Sequence, residues 1–576
     1  MIPRPLARPR RWAFARLVGI GVGQAFTAVS IAVLVQRGFD LLVGTGRAVP
    51  APLPTGAVGW LVAGLAGAVL GSALFRGAER LASEQVAQHY VQEVRDVLFA
   101  HLTRVPAREL GRRHRGSMLL RFAGDLSALR LWVGRGLARL LVAGVAVGLV
   151  LAALAVMNPA LAAAVGGVLV AGALATWAAS PRLLHTARAS RRRRSRLTGE
   201  VTERLTQLGV LQSAGQEDRE RRRVQRRSQR VADAMVDQAG ASGTVRAIAE
   251  GAAAAAGVAA LLVGAFEVRE GRASAGTVLA AVSLAGLLGG YLRDLGRVAE
   301  YAAGARIARR AVHGFLDIPP LPDPADQPDL EVRTGAVEIE RVSLGEALAD
   351  VTLRVRGGRR VAVVGANGAG KSTLVALVAR LSDPDAGQVC IDGQDVRHRS
   401  LASVRAAVGI ASPDLPLLRG SLRRNVTYRN PRVDEAELAR ISTLCGLDEL
   451  AAELPDGWRT DVGESGSRLS AGQRGRVAVA RAALGRPPLL VLDEAESHLD
   501  TEASRVVDRV LADHSGTALV VTHRRELVER ADEVWCLQDG RVVETGPPAL
   551  LLTGDGPTAR LFAADPRPVA ALAGRS

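Results

Sequence analysis

The sequence is poor in cysteine, aromatic residues and lysine, and the first two shortages each argue against a class of protein. Its three cysteines, Cys390, Cys445 and Cys536, have neither CxxC nor CxH spacing, so we expect neither disulfides nor a zinc site. Aromatic residues make up 3% of the chain, which leaves few side chains to stack on bases although the net charge is +17. We therefore expect no nucleic-acid partner.

Lysine occurs once among 74 lysine and arginine residues, at Lys371. It lies in Gly365–Thr373, GANGAGKST, which fits the phosphate-binding pattern G-x-x-x-x-G-K-[ST]. The apolar run Val361–Val364 before it predicts a buried strand, and the STLVALVARL run after it predicts an amphipathic helix. Because glycines let backbone amides approach phosphate and a helix N-terminus favours anions, this segment predicts a nucleotide site. The predicted phosphate contacts are Gly365, Asn367, Gly368, Gly370, Lys371, Ser372 and Thr373.

Long apolar stretches in the first half of the chain predict a membrane domain. Apolar residues make up 48% of the sequence, and the mean hydropathy is +0.15 although 23% of the residues are charged. Six stretches approach the ~20 apolar residues that cross a bilayer. They are residues 17–35, 56–75, 140–157, 160–179, 247–266 and 273–292.

Arginine is concentrated in the two long connections, after the second and the fourth predicted span. Because positive charge stays on the cytoplasmic side, this pattern predicts that both termini lie in the cytoplasm. Both connections have helical patterns, so we expect the membrane helices to extend beyond the bilayer. The arginine runs then serve as topology signals and solvated helix faces rather than as nucleic-acid patches.

A proline-rich stretch divides the chain. IPPLPDPADQP, residues 318–328, interrupts all periodicity, and apolar strands alternate with helices after it. We predict a membrane domain over residues 1–316, a linker over 317–330 and an α/β nucleotide-binding domain over 331–576.

Acidic and polar residues follow the later predicted strands. PLLVLDEAESHLD ends a buried strand in Asp493, expected to hold Mg²⁺ with Ser372, and in Glu494, expected to deprotonate the attacking water. LSAGQ, residues 469–473, precedes a helical run, and its N-terminus suits an anion. His523 follows another apolar strand and is placed to contact a γ-phosphate.

In their order and spacing these motifs make the chain resemble the ATP-binding cassette (ABC) transporters, specifically exporter-type half-transporters with six membrane helices followed by a P-loop cassette. The resemblance implies that two cassettes enclose ATP head to tail, so that Ser470, Gly472 and Gln473 contact the nucleotide of a partner. It also implies catalytic roles for Glu494, His523 and Lys371 and a coupling role for Asp500 in the SHLD segment.

Two family features are missing. Pro413 occupies the position of a glutamine that contacts Mg²⁺ in relatives, and Asp414 beside it is the alternative ligand. The aromatic residue that stacks on adenine is also absent, and Arg341 or Arg354 is a possible substitute because arginine stacks on bases. We expect weakened base recognition and altered coupling to the membrane domain.

The expected function is ATP-driven transport of an unidentified solute across the cytoplasmic membrane, most simply export, by one half of a dimer. Mg²⁺ and ATP are the expected cofactors, and the imperfect site favours a heterodimer over a homodimer. Two alternatives stay open: an importer with exporter architecture, and an ATP-binding subunit with little turnover of its own.

Overall fold

The structure of the protein is a computed structural model. It describes Pro3 and residues 11–43, 55–106, 109, 124–324, 326–495 and 501–563. The described residues form two compact units, which divide between Pro320 and Leu321. This division lies inside the predicted linker, whose exact limits remain a prediction.

The first unit is helical, and its long apolar helices satisfy their own backbone hydrogen bonds, as a lipid environment requires. Its α-helices are α1 (Arg11–Val43), α2 (Thr55–Leu102), α3 (Leu126–Leu131), α4 (Ala138–Met157), α5 (Pro159–Thr206), α6 (Leu208–Ser213), α7 (Glu217–Arg269) and α8 (Ala275–Leu316). A π-helical segment, Trp132–Leu137, joins α3 to α4 without a break. Each of the six predicted spans falls within a helix, apart from residues 273 and 274 of the last one.

Five helical segments among the described residues are long and apolar enough to cross a membrane. They are Arg11–Leu41, Val58–Leu102, Leu126–Met157, Pro159–Leu205 and Glu217–Arg269. The sixth, Ala275–Tyr291, is apolar but shorter. α2, α5 and α7 continue far beyond the predicted spans, as the helical pattern of the arginine-rich connections predicts. The chain is thus a multi-pass membrane protein with long helical extensions.

Two sheets and surrounding helices form the second unit. One sheet has the strand order β2-β1-β4-β5 and is antiparallel; the other has the order β10-β9-β3-β8-β7-β6 and is parallel except for β10. The strands are β1 (Val337–Leu344), β2 (Leu348–Val355), β3 (Arg360–Val364), β4 (Ala386–Ile391), β5 (Gln394–Asp395), β6 (Val408–Ala411), β7 (Leu489–Asp493), β8 (Thr517–Val521), β9 (Glu533–Gln538) and β10 (Arg541–Gly546).

The second unit also contains helices, some of which pack on the parallel sheet. They are α9 (Lys371–Val378), α10 (Leu401–Ala407), α11 (Leu422–Val426), α12 (Glu435–Cys445), α13 (Leu447–Glu453), α14 (Ala471–Ala483), α15 (Thr501–Asp513), α16 (Arg525–Glu529), α17 (Pro548–Leu551) and α18 (Pro557–Ala563). All residues of β7 and β8 are buried, as is typical of parallel strands with both faces covered. Because β3, β8 and β7 are neighbours, the segments that follow them meet at one edge.

A buried arginine holds part of the predicted linker against the second unit. The Arg380 side chain is fully buried, and its guanidinium donates to the carbonyl oxygens of Pro322 (2.7 Å), Arg397 (3.1 Å) and Arg399 (2.6 Å). Arg380 lies just after α9. The proline-rich segment is therefore fixed to the nucleotide-binding unit, at least at Pro322, rather than loosely attached.

Candidate nucleotide site

The phosphate-binding segment joins β3 to α9 through a turn that only glycine fits. Gly365 and Gly370 have φ angles of +149° and +101°. A Cβ on Gly365 would lie 2.2 Å from the Leu537 carbonyl oxygen, and one on Gly370 would lie 2.6 Å from the Ala347 carbonyl oxygen. Both contacts are with backbone, which cannot move aside cheaply. The turn is therefore shaped by the strand ends packed around it.

The remaining predicted phosphate contacts lie at the tip of this turn and on the first turn of α9. Asn367, Gly368 and Ser372 are exposed, and Thr373 is half-buried. Gly368 has a φ of +82°, and a Cβ there would meet no atom within 4 Å. The loop thus presents an open backbone at a helix N-terminus, where phosphate groups bind readily.

Lys371 folds back over the loop. Its side chain is buried, and Nζ donates to the carbonyl oxygens of Gly365 (2.8 Å) and Ala366 (3.1 Å). Burial lowers the pKa of this ammonium, whereas the charges of Glu494 and Asp493 act in the opposite direction. The ammonium is therefore bound by the carbonyl oxygens of the loop and lies close enough to both carboxylates to interact with their charges.

Asp493 is the last residue of β7, and its carboxylate is buried. Its Oδ2 accepts a hydrogen bond from Ser412 Oγ at 3.1 Å, and the Ser372 hydroxyl also hydrogen-bonds to this carboxylate. Oδ1 is buried without a hydrogen-bond partner among the described residues. Burial raises the pKa of Asp493, and the nearby charges of Glu494 and Asp414 add to this effect. The carboxylate therefore keeps Oδ1 available for a further ligand.

These groups fit a magnesium ion. Mg²⁺ is typically held by one or two carboxylates together with substrate phosphates, and here an orphaned carboxylate oxygen lies beside a serine hydroxyl. Groups of three or more histidine, cysteine or acidic residues suited to a metal are not found in the described part of the chain. The site therefore suits an ion that shares its coordination with a nucleotide.

Glu494 and His523 lie at the same edge. The Glu494 amide donates to the Val521 carbonyl oxygen at 3.0 Å, with a φ of +47° that turns the chain sharply out of β7. Its carboxylate oxygen Oε1 lies 3.4 Å from His523 Nε2, and both side chains are partly exposed. The structure thus brings Lys371, Asp493, Glu494 and His523 to the edge where the phosphate loop lies.

Ser412 is a site residue that the sequence reasoning missed. It follows β6, whose Ala411 pairs with Leu492 of β7, so Ser412 comes beside Asp493. The Asp414 amide donates to Ser412 Oγ at 3.3 Å. Ser412 acts on Asp493 through a hydrogen bond and Asp414 acts on it through its charge, and Pro413 lies between these two residues. The signal available in the sequence was the position directly after a strand next to β7.

In the LSAGQ segment, Ser470 and Gln473 form a capping box at the N-terminus of α14. The Gln473 amide donates to Ser470 Oγ at 3.1 Å, and the Ser470 amide donates to Gln473 Oε1 at 2.9 Å. Ser470 is exposed and Gly472 is buried. The capping box fixes an exposed helix N-terminus, as predicted for an anion contact. Their predicted contact with a partner's nucleotide remains a prediction, and Asp500 lies outside the described residues.

The turn between β1 and β2, close to where the adenine-stacking aromatic residue was expected, is very short. Leu344 pairs with Leu348, so only three residues connect β1 to β2. Arg354, one of the two proposed substitutes, donates to Glu340 Oε1 at 2.8 Å, and hydrogen bonds from Gln388 and Arg354 lower the pKa of Glu340. Arg341, the other, sits at a bulge with a φ of +47°. The guanidinium of Arg354 is thus already bound to a carboxylate of the neighbouring strand.

Comparison with known families agrees with this architecture. A family described as ABC transporter transmembrane region matches residues 18–292, and a family described as ABC transporter matches residues 348–497. Among solved structures, a bacterial Atm1-family ABC exporter with ATP bound is similar with a TM-score of 0.86 and 25% identity. That comparison covers 96% of this chain and 99% of the exporter chain.

Characterised relatives match to different extents. The mitochondrial iron-sulfur clusters transporter ATM1 of Yarrowia lipolytica is 37% identical over 47% of this chain, and the ATP-dependent lipid A-core flippase of Thiobacillus denitrificans is 44% identical over 38%. Each of these matches spans only 38% of the relative's own length. The flippase of Chromobacterium violaceum is 29% identical over 86% of both chains.

Proposed function

The chain belongs to the ABC transporter family, with the membrane region and the nucleotide-binding cassette in one polypeptide, and on that premise we propose that it couples ATP hydrolysis to solute export across the cytoplasmic membrane. The similarity to an exporter structure over nearly the whole of both chains supports export over import. The proposed orientation places the cassette and both termini in the cytoplasm, which the arginine-rich connections support.

One observation carries the proposal: four residues with complementary chemistry meet at the edge of the parallel sheet. Lys371 neutralises the β- and γ-phosphates, and Glu494 accepts a proton from the attacking water. His523, 3.4 Å from Glu494, orients that carboxylate and contacts the γ-phosphate. Asp493 and Ser372 are the residues that would hold Mg²⁺, which when bound supplies positive charge to the phosphate oxygens.

A dimer is part of the proposal. Ser470, Gly472 and Gln473 form a rigid helix N-terminus that is suited to the nucleotide of a second cassette. The partner is a second half-transporter, and the altered segment at Pro413 supports a related but different chain over a second copy. The cargo moves as the membrane helices of the two halves alternate between inward-open and outward-open states.

Phosphate release tests the proposal. The full chain, purified in lipid, is incubated with Mg-ATP beside its Glu494→Gln variant, which keeps the shape of the side chain but loses the base. We expect the variant to lose ~10²–10⁴ in rate. Equal rates for the two proteins would refute the role of Glu494. Absence of activity in a folded wild-type chain that binds ATP would point to an obligatory partner or to a subunit with little turnover of its own.

A second function is favoured by the altered loops. Pro413 has no side-chain ligand, and the three-residue turn between β1 and β2 has no aromatic residue. These features suit an ATP-binding subunit with little turnover, which works beside an active partner. Transport by the assembled pair distinguishes the two functions. A Glu494→Gln variant that leaves transport unchanged supports the subunit with little turnover, and a variant that abolishes transport supports the active ATPase. Transport into inverted versus right-side-out vesicles distinguishes export from import.

A further inference from the structure

An apolar groove lies at one end of the membrane helices, between α1 and α2 and beside α8. Its volume is about 270 Å³. Apart from one glycine, its lining side chains are all apolar, among them Leu34, Leu41, Leu61, Val62 and Leu279. The lining residues of α1 and α2 lie where the predicted span 17–35 ends and the predicted span 56–75 begins. The groove is therefore at the membrane edge opposite the arginine-rich connections, which is the non-cytoplasmic edge in the proposed orientation.

The groove forms where the contact between α1 and α2 becomes looser. A Cβ on Gly64 of α2 would lie 3.2 Å from Leu34 Cδ1, which is tighter than an ordinary contact. Nearer the end of α1, a Cβ on Gly38 would lie 3.9 Å from Leu61 Cδ1. Gly38 itself lines the groove and has no side chain to fill it. The helices thus leave an elongated apolar space between them.

Exposed apolar residues beside the groove face lipid in a membrane protein. Trp60, next to the lining residue Leu61, is 81% exposed, and the lining residue Val62 is 60% exposed. Tryptophan is enriched at membrane–water interfaces because its ring is apolar and its N–H is polar. The groove therefore opens to lipid close to the level of the headgroups.

Arg37 is placed at the polar end of this groove. It lies two residues beyond the predicted span 17–35, and it is exposed. It is one helical turn from both Leu34 and Leu41, so it shares the face of α1 that lines the groove. Positive charge normally stays on the cytoplasmic side, and the predicted topology does not require an arginine at this opposite edge. Arg37 therefore needs another explanation.

The nearest carboxylate along α1 is turned away from Arg37. Asp40 Oδ2 accepts a hydrogen bond from Ser274 Oγ at 2.9 Å, and Asp40 Oδ1 accepts one from the Gly276 amide at 3.0 Å. Asp40 is thus bound to the N-terminus of α8. Across the described part of the chain, Arg37 has no carboxylate within ion-pair distance. Its guanidinium is available to an anion from outside the chain.

We propose that the groove binds one acyl chain of an anionic phospholipid of the non-cytoplasmic leaflet, with the lipid phosphate bound by Arg37. The planar fork of the guanidinium matches phosphate oxygens, and its long stem lets the charge reach the headgroup level. A headgroup without a cation of its own competes least with the arginine for that phosphate.

The two parts of the site have different tasks. Lipid tails are as apolar as leucine side chains, so an acyl chain gains little hydrophobic free energy when it moves from the bilayer into the groove. The phosphate contact therefore supplies most of the preference, and the groove fixes the position of the lipid. The site goes beyond the proposed transport function, and only the choice of leaflet rests on the proposed orientation.

The test is native mass spectrometry of the detergent-purified full chain with two probes. Dipalmitoylphosphatidylglycerol is the anionic phospholipid, and dipalmitoylglycerol has the same chains without the phosphate. Arg37→Gln removes the charge. Its matched control is Arg269→Gln, since Arg269 is also exposed, follows the predicted span 247–266 on the same side of the membrane and has no ion pair among the described residues.

A second pair of variants tests the groove. Gly38→Leu places a side chain in it, and Gly67→Leu is the control because Gly67 is an exposed glycine of α2 whose Cβ would meet no atom within 4 Å. Thermal unfolding checks that all four variants fold. Val62→Trp, which also narrows the groove, replaces Gly38→Leu if that variant does not fold.

We expect the phospholipid to bind the wild type and both controls equally, and Arg37→Gln and the groove variant at least about 10-fold more weakly. Dipalmitoylglycerol should bind the wild type more weakly than the phospholipid does, and Arg37→Gln should not change its binding. Wild-type affinity in either site variant overturns the proposal, and so does an equal loss in the matched control. A groove covered by a second copy of the chain would give the first of these results, with fewer dimers of the groove variant in the same spectra.

Failure of this proposal is distinguishable from failure of the proposed function. Phosphate release by the wild type and its loss in Glu494→Gln are measured on the same preparations without any probe. A chain that hydrolyses ATP but binds the phospholipid independently of Arg37 contradicts only the lipid site.

Discussion

Removal of the Ser412 hydroxyl should weaken the metal site without removing any metal ligand. Ser412 Oγ donates to Asp493 Oδ2 at 3.1 Å and orients the buried carboxylate so that Oδ1 stays free. A hydrogen bond to a charged group contributes about 1.5–3 kcal/mol. If that orientation is what Mg²⁺ requires, Ser412→Ala should raise the Mg²⁺ concentration for half-maximal activity by ~10–100-fold.

The pKa of Asp493 gives the same variant a second signature. Burial already raises this pKa, and the Ser412 hydrogen bond acts against that effect. Without the hydroxyl the pKa rises further, so a larger fraction of the carboxyl is protonated in mildly acidic buffer. Protonation competes with Mg²⁺, and the activity of Ser412→Ala should therefore fall at a higher pH than that of the wild type.

The assay is phosphate release at saturating ATP, with Mg²⁺ titrated at several pH values. Ser412→Thr keeps a hydroxyl and serves as the control, with a half-saturation close to that of the wild type. A Ser412→Ala variant that loses activity equally at every Mg²⁺ concentration would show that the hydroxyl supports the fold of the loop rather than the metal site. An unchanged Mg²⁺ titration would refute the reasoning outright.

Three further predictions concern the second unit. Gly370→Ala should weaken ATP binding at least 10-fold more than Gly368→Ala in a nucleotide-binding assay, since both have positive φ but only the first Cβ meets backbone. Arg380→Met should lower the free energy of unfolding by about 1.5–3 kcal/mol, because three backbone carbonyl oxygens lose their charged donor, and exposed Arg356→Met should not; denaturant unfolding of the full chain compares them. For Asp392 burial raises the pKa, but hydrogen bonds from Thr334 and the amides of residues 333–335 outweigh it and hold the pKa well below its usual range. That stabilisation is present above pH ~4 and lost as the pH falls through the folded pKa, so the deficit of Asp392→Asn in thermal unfolding should shrink in acid.

Most of the fold was readable from local pattern. The GANGAGKST segment predicted strand, turn and helix, and β3 and α9 flank it in the structure. The apolar stretches likewise predicted helices, because a bilayer-spanning segment must be both apolar and helical. The predicted roles of individual site residues stay predictions, although the structure gathers Lys371, Asp493, Glu494 and His523 at one edge.

What local pattern did not reveal was contact between distant segments. Ser412 follows a short strand with no motif of its own, and it reaches Asp493 only because β6 and β7 are neighbours in the sheet. Arg380 looked like one more arginine at the end of a helix, yet it binds the linker 58 residues earlier. Such hydrogen bonds depend on strand order, which sequence spacing does not encode.

The sequence by itself determined the chemistry: one lysine in a glycine loop, paired acids after an apolar strand, and arginine on one side of six apolar stretches. Only the tertiary structure decided which of these charges meet. Lys371 lies far from Asp493 and Glu494 in the sequence, and its ammonium interacts with their charges because β3, β8 and β7 are neighbours in the sheet. The physical reason is that composition sets the charges, whereas packing sets the distances across which they act.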